Sequence, residues 1–227
     1  MVDITPYMVI KNEEYFLGYI LRELCKVFPR VIVIDTMSTD NTPTIAKSFP
    51  QVAFFQYDMK KSDSICPARQ WGLDMIETEW SFLVDGDEYY EEAELLKFKQ
   101  LVIEDGKKMG FTAVFALDFA GDQFYIRGQM SANRIFKTKE TRWSDHKHPW
   151  ETVDSWGEKE THFYTQVRGW HMRQLSRSSR DHDTYFRIHK LNFWEKTRWD
   201  LLERNPFAPI EGWKNPYLEA LKDVVTA

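Results

Sequence analysis

The sequence predicts an α/β fold: a mostly parallel sheet with helices on both faces. Three observations predict it. Apolar runs of strand length alternate with stretches of helical periodicity as far as Val84, in the order β-α-β-α-β-α-β. That alternation is the signature of parallel strands joined by helical crossovers. Val31-Ile32-Val33-Ile34 is a purely aliphatic run, as in a central strand covered on both faces. Two apolar runs end in an aspartate, Asp35 and Asp85. Both would lie on one carboxyl edge, where ligands of open α/β sheets sit.

The elements follow in order. Thr5 to Ile10 is a first strand, broken by Lys11-Asn12-Glu13-Glu14. From Tyr15 to Val27 the apolar residues Phe16, Ile20, Leu24 and Val27 recur at helical spacing, and Pro29 closes the helix. Val31 to Ile34 is the second strand. A polar loop, Thr36 to Thr42, leads into a helix from about Pro43 to Phe49, with proline suited to the first turn. Val52 to Gln56 is the third strand, Pro67 to Ile76 a helix, and Trp80 to Val84 the fourth strand. Beyond Asp87 a helix spans Glu91 to Glu104, with Leu95, Phe98, Leu101 and Val102 inward. Thr112 to Phe119 is a strand, and Gly121-Asp122 a turn. Phe124 to Ile126 and Asn133 to Lys137 are short strands of an antiparallel portion. Glu140 to Gly169 reads as irregular, Arg180 to Arg204 as a long helix, and Tyr217 to Val225 as a last one.

With 227 residues the chain fits one domain with an appendage, and 43% hydrophobic residues support a full core. The net charge of -5 excludes a general polyanion binder. Residues 168–204 nonetheless carry nine Lys or Arg against five Asp or Glu, among many aromatics. Cys25 and Cys66 have no metal-like spacing and suggest a reducing compartment. Neither a signal-peptide pattern nor a membrane-spanning apolar run is present, so a soluble cytoplasmic protein is expected.

The stretch Trp80 to Tyr90 carries the chemistry. A buried strand ends in Asp85-Gly86-Asp87-Glu88, three carboxylates with no neutralising neighbour in sequence. A hard divalent cation, Mn2+ or Mg2+, would resolve their repulsion. Gly86 would let the backbone approach a ligand closely. Asp-x-Asp alone also fits an acidic helix start, because Glu91, Glu92 and Glu94 follow.

Four motifs together are more specific: Met8 to Glu14, Val33 to Thr42, Ala68-Arg69-Gln70-Trp71-Gly72-Leu73, and Phe82 to Glu88. In this order and spacing they resemble the family 2 glycosyltransferases of GT-A fold, in the style of small members related to lipopolysaccharide core glucosyltransferases. The match is looser through Asn133 to Lys137, His148 to Glu151 and Gly169 to Arg173. The resemblance implies a nucleotide-sugar-binding and catalytic domain over residues 1–175, with a C-terminal helical extension over 176–227. It implies inverting transfer of a sugar from a nucleoside-diphosphate donor, UDP-linked by preference, with Mn2+ or Mg2+ as cofactor. Residue by residue, it places Asp35 against the nucleobase, Ile10 and Glu13 along the nucleoside pocket, and Arg69 over the nucleotide. Asp85 would face the ribose and metal, Gly86 would lie with the donor-nucleotide-binding residues, and Asp87 would be a direct metal ligand. His171 would complete the metal site.

Inversion also needs a base within reach of the acceptor hydroxyl. Glu151, Asp145 and His148 are the candidates, in that order. Arg173 or Arg177 would assist the leaving group. Two departures from the family stand out. Thr36-Met37 replaces the small residues usual after the nucleobase aspartate, and no adjacent Glu-Asp pair marks the acceptor side. The acceptor stays open: a glycan or lipid-linked hydroxyl by default, or a modified nucleic-acid base, prompted by the basic aromatic segment. A sugar-phosphate nucleotidyltransferase would show a Gly-rich loop where Lys11-Asn12-Glu13-Glu14 stands. A non-catalytic nucleotide-sugar-binding module is disfavoured by the intact Asp85 and Asp87.

Overall fold

The computed structural model describes residues 3–14, 16–59, 64–105, 109–120, 123–144, 152–153 and 161–171. Several expectations lie outside those residues: the turn at Gly121-Asp122, the base candidates Asp145, His148 and Glu151, the cations Arg173 and Arg177, and the extension over 176–227.

Strands β1 (Ile4–Ile10), β2 (Val31–Asp35), β3 (Val52–Gln56) and β4 (Trp80–Leu83) alternate with helices α1 (Leu17–Val27), α2 (Thr42–Lys47) and α3 (Cys66–Asp74). A two-residue strand, β5 (Glu88–Tyr89), precedes α4 (Glu92–Asp105). Three long strands follow: β6 (Met109–Ala120), β7 (Gln123–Lys137) and β10 (Thr161–His171). Between the last two lie the short strands β8 (Trp143–Ser144) and β9 (Thr152–Val153).

The main sheet has eight strands in the order β3-β2-β1-β4-β7-β6-β10-β5, and β8 pairs with β9 in a separate ribbon. β1, β2, β3 and β4 are parallel to one another, as the alternation predicts. β7 then runs antiparallel to both β4 and β6. Every residue of β1 and β2 is buried, which is why both read as continuous rather than alternating apolar runs.

Two corrections to the sequence reading concern the second half. The two short strands expected at Phe124–Ile126 and Asn133–Lys137 are one continuous strand, β7. The segment from Glu140 to Gly169 is not irregular throughout: it contains β8, β9 and most of β10.

The sheet is covered on both faces. On one, Leu17, Ile20, Leu21 and Leu24 of α1 pack with Leu95, Phe98 and Val102 of α4 over Met8, Val33 and Phe82. On the other, Ala68 and Leu73 of α3 pack with Tyr7, Val9, Ile34 and Phe136. Gly72 sets the spacing of α3, because a Cβ there would lie 2.4 Å from Ile34 Cδ1 and 3.1 Å from Tyr7 Cδ2. α3 therefore sits close against the strands and presents Arg69 to their carboxyl edge.

Candidate active site

The site is assembled at the carboxyl ends of β1, β2 and β4. The loops after β1 and β2 are zipped together. Asn12 N donates to Ser38 Oγ at 2.8 Å, Thr39 N to Asn12 Oδ1 at 2.8 Å, and Glu13 N to Thr42 Oγ1 at 2.7 Å. Asn12 and Met37 hold left-handed backbone, with φ of 56° and 63°. Among the described residues they are the only non-glycine residues to do so. Strain of this kind persists only where the surroundings over-determine it, and here the cross-loop hydrogen bonds do so.

Asp35 is fully buried at the end of β2 and opposite Ile10. Its carboxylate accepts from Ser38 N at 3.2 Å, from the Ser38 hydroxyl, and from Gln56 Nε2 at 3.2 Å. Gln56 is exposed at the end of β3. The hydrogen bond fixes its amide with Nε2 toward Asp35, since the flipped amide would set oxygen against carboxylate. Sequence reasoning assigned Gln56 no role.

The acidic stretch after β4 is a tight turn, closed by Glu88 N donating to Asp85 O at 3.0 Å. Gly86 is required in it. A Cβ there would meet Glu13 Cγ at 2.6 Å and Ile10 Cγ2 at 3.0 Å, so the turn lies directly on the end of β1. Ile10, Glu13 and Gly86 thus lie together at the end of β1.

Two arginines settle most of the charge conflict. Arg69 Nη2 donates to Asp85 Oδ1 at 3.1 Å, and Arg134 Nη2 to Asp85 Oδ2 at 2.7 Å. Arg134 Nε also donates to Glu88 Oε2 at 2.7 Å, and its Nη2 pairs with Glu88 Oε1. Arg134 was missed from the sequence. The available signal was a charged residue next to the apolar pair Ile135-Phe136 of a strand, with no acidic partner nearby in sequence. Burial pushes the Asp85 carboxyl up, but Arg134 and then Arg69 overcome it and hold the group at about 2. At Glu88, wholly buried, burial dominates and raises the carboxyl above its ordinary value, opposed by Arg134. Tyr90 completes the network, its hydroxyl 3.1 Å from Thr112 Oγ1 and 3.5 Å from Glu88 Oε2.

Asp87 is left to His171, with Nε2 and Oδ2 at 3.3 Å. Strand register makes this pair: β5 runs antiparallel to the end of β10, so His171 sits opposite Glu88, beside Asp87. Burial disfavours the imidazolium, but Asp87 outweighs it through hydrogen bond and charge and lifts His171 to about 9.

The pair bears on a metal. Among the described residues no group of three His, Cys, Asp or Glu side chains is arranged to hold one. Both Asp85 oxygens accept from guanidinium groups, whereas Asp87 pairs with His171. Their 3.3 Å separation is close to the ~3 Å between adjacent ligands of an octahedral cation with bonds of about 2.1 Å. The carboxylate oxygen suits Mn2+ or Mg2+, whereas the imidazole nitrogen is a softer donor that must give up its proton to bind a metal. A cation held by the pair would have to take its other ligands from substrate and water.

Arg69, Asp85, Asp87 and His171 therefore converge, beside Ile10, Glu13 and Gly86, with Asp35 one strand away. Comparisons with known proteins bear on the family and the fold. A model of glycosyl transferase family 2 matches residues 7–164. The crystal structure of S. aureus TarS 1-349 aligns with a TM-score of 0.57 at 13% identity, over 76% of this chain and 61% of that one. TarS 1-349 in complex with UDP gives 0.51 at 17% identity, over 63% and 50% of the two chains. TarS 1-349 in complex with UDP-GlcNAc gives 0.50 at 16%, over 63% and 48%. This chain thus spans less than two thirds of the length of those TarS chains. No curated protein matches it. Likeness at such identities speaks for the fold.

Proposed function

The chain belongs to glycosyl transferase family 2, with the α/β fold of GT-A type, and from that premise we propose that it transfers a sugar from a nucleoside-diphosphate donor to a hydroxyl acceptor. The observation that carries the reading is the Asp87–His171 pair beside an Asp85 already neutralised by Arg69 and Arg134. Such an edge offers cation-holding donors and fixed positive charge where a diphosphate would leave. Complexes of TarS 1-349 with UDP and UDP-GlcNAc support a UDP-linked donor.

In this reading Asp35 and Gln56 face the nucleobase, and Ile10 and Glu13 line the nucleoside pocket. Arg69 and Asp85 orient the ribose and diphosphate. Asp87 and His171 would hold Mn2+ or Mg2+, which when bound would supply Lewis-acid stabilisation of a leaving diphosphate. Inversion follows from one displacement, with the base drawn from Glu151, Asp145 or His148. The acceptor in this reading is a glycan or lipid-linked hydroxyl. No helix among the described residues is long and apolar enough to cross a membrane.

The test is calorimetry of UDP binding with and without Mn2+, on wild type and Asp87→Ala. The expected outcome is Mn2+-dependent binding in the wild type that disappears in the variant, with an unchanged circular dichroism spectrum. Unchanged UDP affinity of Asp87→Ala in Mn2+ would overturn the metal assignment. Glu151→Gln separately should keep donor affinity and lose transfer; near wild-type turnover would move the base to Asp145 or His148.

A further inference from the structure

We propose that Trp143 is a positioning residue of the donor site, holding the Arg69 guanidinium against Asp85 and itself anchored by the buried hydroxyl of Tyr7. The inference rests on the reading of Arg69 and Asp85 as donor-binding residues. It goes beyond that reading in assigning a role to two residues, Trp143 and Tyr7, that the reading leaves without one.

Trp143 opens strand β8, outside the main sheet, yet it is fixed at several points. Its backbone N donates to Gln70 Oε1 at 2.8 Å, and its indole Nε1 donates to Tyr7 OH at 2.9 Å. Phe136 meets its ring edge-on, with centroids 5.5 Å apart. The next residue is tied down too, since Cys66 Sγ lies 3.4 Å from Ser144 O. Against this fixed ring lies Arg69, its Cζ 4.8 Å from the ring centroid, well inside cation–π range. Arg69 and Gln70 are consecutive on α3, so one turn of helix grips both the ring and the backbone of Trp143.

Tyr7 explains why the ring cannot drift. It lies in the middle of β1, is wholly buried, and pairs with Ile32 on one side and Leu83 on the other. A hydroxyl at such a depth is costly without a partner, and the indole N–H is the partner it has. Burial pushes its pKa far up, so it stays a neutral phenol. The chain of contacts then runs from the rigid centre of the sheet, through Tyr7 and Trp143, to Arg69 and Asp85. An arginine has many rotamers, and stacking on a fixed ring removes most of that freedom before the donor arrives. β8 and β9 also flank the Asp145–Glu151 connection, which contains the three base candidates. The residue that aims the donor-side cation thus also anchors the strand from which that connection departs.

The experiment uses the full chain with Tyr7→Phe, which removes one oxygen atom, Trp143→Phe, which keeps a ring and removes the indole N–H, the double variant, and Arg69→Lys. The first readout needs no ligand. It is the Nε–H resonance of Arg69 in 15N-labelled protein, assigned by its loss in Arg69→Lys and expected to be ring-current-shifted in the wild type. It should move toward the free-arginine position in both single variants. The second readout is UDP affinity in Mn2+. Each single variant should weaken binding roughly 3- to 10-fold, as for loss of one hydrogen bond, and the double variant no more than the weaker single. A purely structural role would lower thermal stability in all three variants while leaving the resonance and the affinity unmoved. That result, or additive losses of affinity, would overturn the proposal. If the wild type binds no UDP, the proposed function fails, and the resonance still decides whether Trp143 positions Arg69.

Discussion

Arg134 is the side chain on which the acidic turn depends. Glu88 is wholly buried and Arg134 nearly so. Removing one partner of a buried pair leaves the other uncompensated, at a cost of about 3–5 kcal/mol. Arg134→Leu should therefore lower the unfolding free energy in urea by that order, and Arg134→Lys should not restore it, since an ammonium cannot bridge Asp85 and Glu88 as the guanidinium does. Adding Glu88→Leu to Arg134→Leu should recover part of the loss, because an apolar pair can replace a buried ion pair at little cost. A double variant as unstable as the single would place the cost elsewhere than at Glu88. The residue scale also shows what sequence can and cannot reveal. Asp35 and Asp85 were legible because each ends an apolar run. Arg134 was not, because its partners lie 46 and 49 positions away in the chain, a pairing that only the β4–β7 register creates. Met37 is a smaller case. It is 47% exposed and left-handed, a conformation that costs a side chain such as methionine about 1–2 kcal/mol and that asparagine adopts more readily. Met37→Asn should raise stability by up to about 1 kcal/mol, read as a higher urea midpoint at unchanged slope.

At the scale of elements, β10 decides whether the site exists. It supplies His171, and its alignment is set where it passes Tyr90. A Cβ on Gly169 would lie 2.6 Å from Tyr90 Cε1 and Cζ, and Tyr90 is held by Thr112 and Glu88. The ring has no easy retreat. Gly169→Ala should cost about 1–3 kcal/mol, the usual range for overpacking, and displace His171 from Asp87. Loss of Mn2+-dependent UDP binding beyond what the lost stability explains would be the sign of that displacement; full retention would show that β10 adjusts without moving its end. The same strand shows why the second half of the fold was hard to read. The pairing of β10 with β6 slips between Tyr164 and Arg168, and such a slip breaks the period-two pattern that identifies a strand. β6 and β7 slip twice against each other as well. The first four strands pair without a shift and are covered on both faces, so their apolar runs were plain. The ribbon of β8 and β9 is two residues a side, too short to leave any periodic signal.

On the scale of the whole molecule, the parallel strands form the buried centre of the sheet, and the proposed donor-binding groups lie along one edge of it. Asp35, Gln56, Arg69, Asp85, Asp87 and His171 come from β2, β3, α3, the turn after β4, and β10, elements far apart in sequence. A ligand that touches all of them ties the two halves of the sheet together, and its binding free energy is then added to that of folding. At a hundred times its dissociation constant a ligand adds about 2.7 kcal/mol. For a chain of this size 1 kcal/mol moves the melting temperature by about 2–4 °C, so a saturating donor should raise it by roughly 5–10 °C. The prediction is tested with UDP, GDP, CDP and dTDP sugars, each with Mn2+ and with EDTA. UDP sugars should give the large shift in Mn2+ and most of it should vanish in EDTA, while Asp87→Ala should respond weakly in both. A shift of equal size in EDTA would mean that Arg69 and Arg134 alone answer the diphosphate charge, and Asp87–His171 would then be an ion pair rather than a cation site. A shift with GDP or CDP sugars instead of UDP would leave the edge and its charges as described and move the base preference to the pocket around Met37 and Gln56.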